Sequence, residues 1–438
     1  MSWTLAALLI AGLGIGSAGE HSAVFSADAV AADHYEASKA GAEVLAAGGN
    51  AADAAAATML ALGVVNPASS GLGGGRFALY YRAADRSLSF LDFRERAPKA
   101  SNPEMFEDPG QRPEGPANAP SQLGGLASGV PGEAAGIEVL VTRFGELSLR
   151  EVIAPALRLA EEGFSVSEAL ARMGSAFDVQ LRKDDLMSRW DLRSGRVLKR
   201  PGLARALRAF ADHGARVIYG GVIGQEMVSS VREQGGIMTL DDLRAYRVRN
   251  RDPIEATAFG YRWATAPPPS AGGFTMVQSL SILEKAVGEA PSYGAPLLHA
   301  MAESWKGPFL DRQSYFGDPD FVIIPIEGML DPSRIERRAE LAGGQEAYPA
   351  SEYEMPVEWG RRQATTPDNA GTSHLCVIDS EGNVASVTTT VNLPFGARFT
   401  GGGIVMNDEM DDFSRGGGKA NAFGLVGGGR NLPGPWER

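Results

Sequence analysis

The sequence predicts an α+β protein in which antiparallel strands are covered by helices. Two hairpin patterns carry this prediction. Between residues 371 and 392, two runs rich in β-branched apolar residues flank the turn-forming segment 380–383, and residues 77–93 alternate in the same way around 84–87. Such alternation is typical of half-buried strands joined by a turn. Elsewhere, apolar residues recur at the spacing of amphipathic helices.

The remaining elements follow from the same patterns. An alanine-rich stretch at 35–64 predicts two helices, because Gly48 is suited to end the first of them. Residues 99–122, rich in Pro, Asn and Glu, predict a long surface loop. Further helices are predicted at 132–144, 148–162, 202–213, 224–234 and 273–287, and a further strand at 261–266.

Little periodicity is present between residues 341 and 369, where Pro, Glu and Gly are scattered. Two interpretations remain open for this segment. It is either an irregular stretch that exposes a point of chain cleavage or an ordinary linker between domains.

Composition excludes several classes of function. The chain has 438 residues, of which 44% are hydrophobic and 21% charged, so a sizeable core is expected. Its net charge is −12 and no block of basic residues stands out, which argues against a nucleic-acid partner. The single cysteine, Cys376, excludes an internal disulfide and a multi-cysteine metal site, and the five histidines show no metal-ligand spacing.

The first 19 residues predict a secretory signal peptide. Residues 2–19 carry no charge, 3–15 are almost wholly apolar or small, and 16–18 resemble a small-residue cleavage site. The basic start of a typical signal is missing, so a short anchor or a misassigned start codon is the alternative. Because glycines interrupt the stretch, it is a poor membrane span. We therefore expect export to the bacterial periplasm or beyond.

A glycine run at 71–75 invites comparison with phosphate-binding loops. The residue that follows is Arg76, no Gly-Lys-Ser/Thr sequence occurs there, and the next residues are typical of a strand. A phosphate loop instead leads into a helix. The run therefore does not predict a nucleotide site.

Thr372 is a candidate nucleophile at the start of the first strand of the 371–392 hairpin. The hydroxyls of Thr388 and Thr390, on one face of the second strand, return toward it. A threonine hydroxyl needs a base, and a freshly cut chain supplies one, because an α-amine with a pKa of about 7.7–8.0 then lies within a few bonds. Taken alone, Thr372 is equally compatible with an ordinary strand threonine.

Several motifs in order make the chain similar to a known family. It resembles the γ-glutamyltransferases, or glutathione hydrolases, within the N-terminal-nucleophile hydrolases, from about residue 23 onward. The motifs are Gly-Gly-Asn-Ala-Ala-Asp-Ala-Ala at 48–55, Ser-Ser-Gly-Leu-Gly-Gly-Gly at 69–75, Leu-Asp-Phe-Arg-Glu-Arg-Ala-Pro at 91–98, Gly-Val-Pro-Gly at 129–132, Leu-Asp-Asp-Leu at 240–243, Pro-Pro-Pro-Ser-Ala-Gly-Gly at 267–273, Asp-Arg at 311–312 with Gly-Asp-Pro-Asp-Phe at 317–321, the 371–392 hairpin, and Asn-Asp-Glu-Met-Asp-Asp-Phe-Ser at 407–414.

The resemblance implies a fold and a maturation step. The fold would be a four-layer αββα sandwich with two central, mainly antiparallel sheets. The chain would cut itself between Gly371 and Thr372, which gives a large-subunit region at 20–371 and a small-subunit region at 372–438. Thr372 would then be the nucleophile, and the hydroxyl of Thr390 would contact and orient it. No cofactor and no metal are implied.

The same resemblance implies how the substrate is held. Arg94 would bind the α-carboxylate of a γ-glutamyl donor, and Asn392, Glu409 and Asp412 would hold its amine. From the residues alone, Arg96 is as good a carboxylate ligand as Arg94. The acidic cluster at 409–412 fits an ammonium better than a metal, although its aspartates are also suited to cap a helix that begins near residue 413.

The implied reaction transfers a γ-glutamyl group, from glutathione or a related compound, to water or to an amino acid or peptide. The two fragments would form a heterodimer. Relatives usually have Gly where Arg76 stands, and they continue beyond the position of Arg438 with a Ser-Ser pair for the donor carboxylate and a Gly-Gly oxyanion hole. We therefore expect the fold of residues 1–438 to be incomplete at its C-terminal end and this polypeptide alone to show little activity. An inactive remnant and an acylase of β-lactam side chains are the alternatives.

Overall fold

The computed structural model describes residues 27–106, 120–184, 186–288, 291–355, 372–413 and 432–438. The predicted signal peptide, residues 1–19, lies outside the described residues, as does Gly371 on one side of the predicted cleavage point. Thr372 is the first described residue after it.

The described α-helices are mostly short and two of them contain an internal proline. They are α1 (Tyr35–Ala46), α2 (Ala51–Val65), α3 (Glu133–Phe144), α4 (Leu149–Glu162), α5 (Glu168–Ala176), α6 (Asp178–Leu181), α7 (Pro201–His213), α8 (Val222–Glu233), α9 (Leu240–Ala245), α10 (Gly272–Val287), α11 (Ala295–Tyr315), α12 (Ile326–Met329) and α13 (Pro332–Ala342).

The strands fall into one large sheet and three two-stranded ribbons. They are β1 (Ala29–Ala32), β2 (Gly75–Arg82), β3 (Ser87–Asp92), β4 (Phe164–Ser165), β5 (Val197–Leu198), β6 (Arg249–Arg251), β7 (Ile254–Ala258), β8 (Tyr261–Thr265), β9 (Thr372–Ile378), β10 (Val384–Thr390), β11 (Thr400–Gly401) and β12 (Ile404–Val405).

The central sheet has six strands in the order β1-β9-β10-β2-β3-β6, and every neighbouring pair is antiparallel. The β9–β10 hairpin therefore lies inside the sheet, although its sequence is far from that of β2. Register fixes which residues meet across it, and Thr390 lies directly opposite Thr372.

Helix α2 packs against β9 and β10 on one face of this sheet and is buried along its whole length. Its start is fixed by Asn50, whose side chain accepts the backbone N–H groups of Ala52 and Asp53, while the Asp53 carboxylate accepts that of Asn50. Seven of its fifteen residues are alanine, so α1 and the sheet can both approach closely. The backbone N–H of Ala51 also donates to Asp379 at the end of β9, 2.9 Å away, which ties the hairpin to the helix.

A second cluster contains α10, α11, α13 and the β7–β8 ribbon. Besides two small apolar groups around Ile282 and Phe274, it contains a buried charged group. The carboxylate of Asp311 pairs with Arg334 at 2.5 Å and with Arg338 at 2.7 Å, and Arg338 is fully buried. Arg338 also donates to the backbone carbonyl of Tyr353. Since all three charges are desolvated, this network depends on every member being present.

Most elements predicted from the sequence are confirmed, including both hairpins and the break between α1 and α2, where Gly48 has a φ of 94°. In the described part of 341–369, residues 343–349, 354 and 355 lie outside helices and strands, as predicted, and one short element interrupts them. Residues Ala350–Tyr353 form a 3₁₀ helix, and the Tyr353 hydroxyl donates to Glu303 at 2.8 Å. The pattern was missed because a single 3₁₀ turn is too short to show periodicity. Residues 356–371 lie outside the described part.

Of the two central sheets that the resemblance implies, the described residues contain one, with helices on one face. The opposite face carries Phe77, Leu79 and Phe90 toward a cavity, and Ile378, the last residue of β9, is 44% exposed. Among the described residues, no helix is both long enough and apolar enough to cross a membrane.

Candidate active site

Two hydroxyls lie next to each other at the open end of the β9–β10 hairpin, away from its turn. Thr372 is the first residue of β9 and is exposed, whereas Thr390 ends β10 and is fully buried. Their Oγ1 atoms are 3.1 Å apart, which is hydrogen-bonding distance. The antiparallel register places them side by side without any further element, so the geometry predicted from the hairpin pattern is present.

The chain after Thr390 turns sharply and fixes its hydroxyl. The backbone N–H of Asn392 donates to Thr390 Oγ1 at 2.9 Å, and Asn392 has a φ of 77°, in a region that asparagine tolerates better than most residues. The Asn392 side chain donates to the carbonyl of Asp408 at 3.0 Å. The carboxylate of Asp408 in turn accepts the N–H of Leu393. The turn that carries Asn392 is therefore tied to the acidic segment that follows β12.

The glycine run packs directly against this turn. A Cβ placed on Gly74 would lie 1.8 Å from the carbonyl oxygen of Thr390, and one on Gly73 would lie 2.0 Å from that of Val405. Only glycine permits this approach. The side chain of Asn407 secures the contact, because it donates to the carbonyls of Gly73 and Gly129 at 2.6 and 2.8 Å.

A cavity of about 790 Å³ opens beside Thr372. Arg94 and Asp412, predicted to bind the donor, line it together with Thr372, and its far wall is formed by residues of β8, α10 and α11. A nucleophile and a charged recognition site therefore share one open cavity, and small-molecule sites are usually concave in this way.

Arg94 lies at the centre of an ion-pair network in this cavity. Its Nη2 atom contacts the carboxylate of Asp412 and lies 2.8 Å from Oε1 of Glu409. A second guanidinium joins the same acids: Nη1 of Arg76 is 2.5 Å from Glu409 and 3.3 Å from Asp412. The structure therefore brings together three of the four predicted donor-binding residues. Asn392, the fourth, lies on the adjoining turn.

The pKa values of Glu409 and Asp412 are shifted in opposite directions in this network. Burial raises the pKa of Glu409 well above its usual range, although Arg76 lowers it. Burial acts on Asp412 as well, but Arg94 and Arg76 hold the pKa of that carboxyl below its ordinary value. Asp412 is thus ionised at neutral pH and is the better partner for an ammonium group.

Behind β10 lies a pair of buried carboxyls that the sequence did not single out. Burial raises the pKa of Glu133 to about 8 and that of Glu95 to about 7. The Thr389 hydroxyl donates to Glu133 and lies 3.0 Å from Ser70 Oγ. Through Thr389, Glu133 and Ser70 contact the strand that carries Thr390, whereas Glu95 lies near Arg76. Their signal in the sequence was weak, because a single Glu in a helix or loop is ordinary.

The structure separates residues that the sequence left equivalent. Arg96 donates to the carbonyl of Trp436 and stacks on its ring, away from the acidic pair. Asp411 accepts from Ser121 and Gln122, whereas Asp412 faces the two arginines. Residues Glu409–Asp412 form a 3₁₀ turn, and whether a helix follows concerns residues outside the described part.

No group of three or more His, Cys, Asp or Glu side chains suited to a metal ion occurs among the described residues. The acids at 409–412 are engaged with arginines instead.

The family model described as Gamma-glutamyltranspeptidase matches residues 37–438. The chain belongs to this family. It is 35% identical over 420 residues to the glutathione hydrolase proenzyme of Escherichia coli (strain K12), covering 93% of this chain and 70% of that protein. It is 38% identical over 398 residues to glutathione hydrolase 3 of Arabidopsis thaliana, covering 88% of this chain and 60% of that one.

Among solved structures, a gamma-glutamyltranspeptidase from Pseudomonas nitroreducens, complexed with L-DON, aligns with a TM-score of 0.68 and 32% identity. The match covers 75% of this chain and 98% of that chain. The predicted fold class of N-terminal-nucleophile hydrolases is confirmed. An acylase proenzyme of Pseudomonas sp. (strain SE83) is 33% identical over 397 residues, which does not favour the acylase alternative over the gamma-glutamyltranspeptidase reading.

Sequence reasoning gave no function to Arg76. A signal was present, since an arginine closes a glycine run at a position where the resemblance implies a further glycine. The structure gives this residue a φ of 145°. Such a backbone is costly for a residue with a Cβ.

Proposed function

We propose that this chain is the precursor of a γ-glutamyl transfer and hydrolysis enzyme whose nucleophile is Thr372. The observation that carries the proposal is the contact of the Thr372 and Thr390 hydroxyls in the same cavity as the Arg94–Asp412 ion pair. Family membership supports it, as do relatives named glutathione hydrolase proenzyme. The chain spans 60% to 70% of the length of the two relatives described above.

Maturation is the first step of the proposal. Hydrolysis of the peptide bond between Gly371 and Thr372 releases the α-amine of Thr372. That amine lies on the same residue as the hydroxyl and is a base with a pKa of about 7.7–8.0 in an unperturbed setting. Thr390 holds Oγ1 of Thr372 through the 3.1 Å contact and limits its rotation. Cleavage thus creates the base that the nucleophile lacks in the precursor.

Acyl transfer then proceeds in two balanced halves. The α-amine takes the hydroxyl proton as Oγ1 attacks the γ-glutamyl carbonyl carbon. The C–N bond breaks, the leaving amine receives the proton, and an ester to Thr372 remains. Water or the amine of an amino acid or peptide attacks this ester, gives its proton to the α-amine, and restores the free hydroxyl.

Donor recognition uses the charges that are already paired in the cavity. The α-carboxylate of the donor replaces Asp412 as the partner of Arg94, because a planar guanidinium binds carboxylates with two parallel hydrogen bonds. The α-ammonium takes the released Asp412, with Glu409 and Asn392 beside it. Exchange of one internal ion pair for two pairs with the ligand keeps every charge partnered.

The remaining parts of the proposal concern partners and location. Glutathione or a related γ-glutamyl compound is the donor, and water, an amino acid or a peptide is the acceptor. The fragments on either side of the cleavage point stay together as a heterodimer, since β9 and β10 are interior strands of the sheet. The uncharged residues 2–19 support export to the periplasm or beyond.

The test combines maturation and acylation. We expect N-terminal sequencing of the smaller fragment to read Thr-Ser-His, and mass spectrometry after addition of a γ-glutamyl anilide to find the acyl group on Thr372. Thr372→Ala should abolish both, and Thr372→Ser should retain cleavage. Thr257→Ala, which alters an exposed threonine of β7, is the matched control and should behave like the wild type. A fragment that begins at another residue would refute the assignment of Thr372.

A further inference from the structure

Arg76 places a second guanidinium in the donor-binding part of the cavity. Its side chain is only 11% exposed and lies within 3.3 Å of both Glu409 and Asp412. These are the two acids assigned to the donor's ammonium group. Arg76 is therefore a direct competitor for the acids that an amine would need.

The backbone conformation of Arg76 indicates that an arginine at this position is not a neutral replacement for glycine. A φ of 145° is strained for any residue with a Cβ, and glycine would relieve it. Arg76 lies opposite Thr389 on β10, one position from Thr390, so the residue cannot relax without moving the strand of the active site. Strained residues of this kind are held in place by their surroundings and cluster at functional sites.

Arg76 changes the number of cations that face Glu409 and Asp412. Asp412 is the acid that carries the charge at neutral pH, because burial raises the pKa of Glu409 well above its usual range. Without Arg76, the two acids face one cation, Arg94, and Asp412 can still accept an ammonium. With Arg76 they face two cations, both in contact with them. The buried Glu95 is also near, but burial raises its pKa to about 7, so its charge offsets Arg76 only in part at neutral pH. The site is thus less favourable to an ammonium and more favourable to a carboxylate.

We propose that Arg76 is a specificity-determining residue that shifts donor selection toward acyl groups with a terminal carboxylate but no α-ammonium, such as the glutaryl group. This inference rests on the proposed function, since it concerns the donor of the same reaction. A glutaryl donor has the length of a γ-glutamyl donor and the same carboxylate for Arg94. It leaves Glu409 and Asp412 paired with Arg76, so these two ion pairs are kept.

The experiment measures binding, and so does not depend on turnover. Isothermal titration of the purified chain with glutarate and with L-glutamate gives a ratio of dissociation constants for each variant. We expect the preference for glutarate over glutamate to be at least about tenfold greater in the wild type than in Arg76→Gln. This is a lower bound, because a unit charge a few ångströms away in a partly buried site acts more strongly.

Three further variants separate charge from shape. Arg76→Lys keeps the charge and should retain most of the glutarate preference, whereas Arg76→Gly relieves the backbone and should lose it as Arg76→Gln does. Arg82→Gln removes an exposed arginine of the same strand and should leave the ratio unchanged. A ratio that is the same in the wild type and in Arg76→Gln, or a wild type that binds neither acid, would overturn the inference.

Different results would contradict the role of Arg76 and the proposed reaction. Failure of any anilide to acylate Thr372 counts against the proposed reaction. An unchanged affinity ratio, with acylation intact, counts only against the assignment of Arg76.

Discussion

The contact between the two threonine hydroxyls makes Thr390→Val the most direct test of the site. Valine has nearly the same shape as threonine but cannot hydrogen-bond. The substitution removes the 3.1 Å partner of Thr372 Oγ1 and also the acceptor of the Asn392 N–H, which is buried. Two effects are therefore expected from one atom, the first on rate and the second on stability.

The magnitude follows from what is left without a partner. A buried backbone N–H that loses its acceptor costs about 1–3 kcal/mol, and we expect the free energy of unfolding to fall by about 2 kcal/mol. Loss of the contact that orients Thr372 should slow cleavage before this residue by about ten- to a hundredfold, since about 1.4 kcal/mol of barrier corresponds to a factor of ten. Stability is measured by urea unfolding in a Thr372→Ala background, in which the chain stays intact. Cleavage is followed by gel electrophoresis over time.

Thr390→Ser is the matched control. It keeps the hydroxyl and loses only a methyl group, at a cost of about 0.8 kcal/mol, so its cleavage rate should stay close to that of the wild type. If Thr390→Val cleaves as fast as the wild type, or if the serine variant is as slow as the valine variant, the hydroxyl of Thr390 does not orient the nucleophile.

Three other perturbations have defined outcomes. In the wild type, the folded state keeps a proton on Glu133 between about pH 4.5 and pH 8 that the unfolded state loses, so the free energy of unfolding falls with rising pH by up to about 1.4 kcal/mol per pH unit. Glu133→Gln should remove this fall, as unfolding measured at several pH values would detect. Asp311→Asn should cost about 3 kcal/mol or more in urea unfolding, because it leaves two buried arginines unpaired, whereas Glu336→Gln on α13 should cost almost nothing. Gly74→Ala should block cleavage on the same gels, because its Cβ would collide with the carbonyl oxygen of Thr390; normal cleavage in that variant would contradict the close packing.

Local sequence patterns predicted where most helices and strands lie, but not which strands pair with each other. The turn at 380–383 and the alternation around it were enough to bring the hydroxyls of Thr388 and Thr390 toward Thr372, because hairpin register follows from the turn. The resemblance singled out Thr390, and the register of the structure places it opposite Thr372. The insertion of that hairpin between β1 and β2 was not predictable in the same way. It depends on pairing between segments about 300 residues apart, for which the sequence contains no local signal.

The same distinction explains the site. Arg94 and Arg96 occupy alternate positions after a strand and are chemically alike, so the sequence could not choose between them. The choice is made by Asp412, which lies 318 residues further along the chain and pairs with Arg94, whereas Arg96 donates to the carbonyl of Trp436. The resemblance to a family supplied the assignment, and the fold supplies its physical reason.

Arg76 illustrates what a departure from a family pattern can mean. By sequence, an arginine at the end of a glycine run indicated only altered backbone geometry. In the structure the strained backbone and the ion pairs belong together, because the φ of 145° accompanies a side chain that contacts Glu409 and Asp412. A glycine there would leave the acids to the substrate, whereas an arginine occupies them in advance. The identity of this one residue therefore changes how strongly the site favours an ammonium group on the donor.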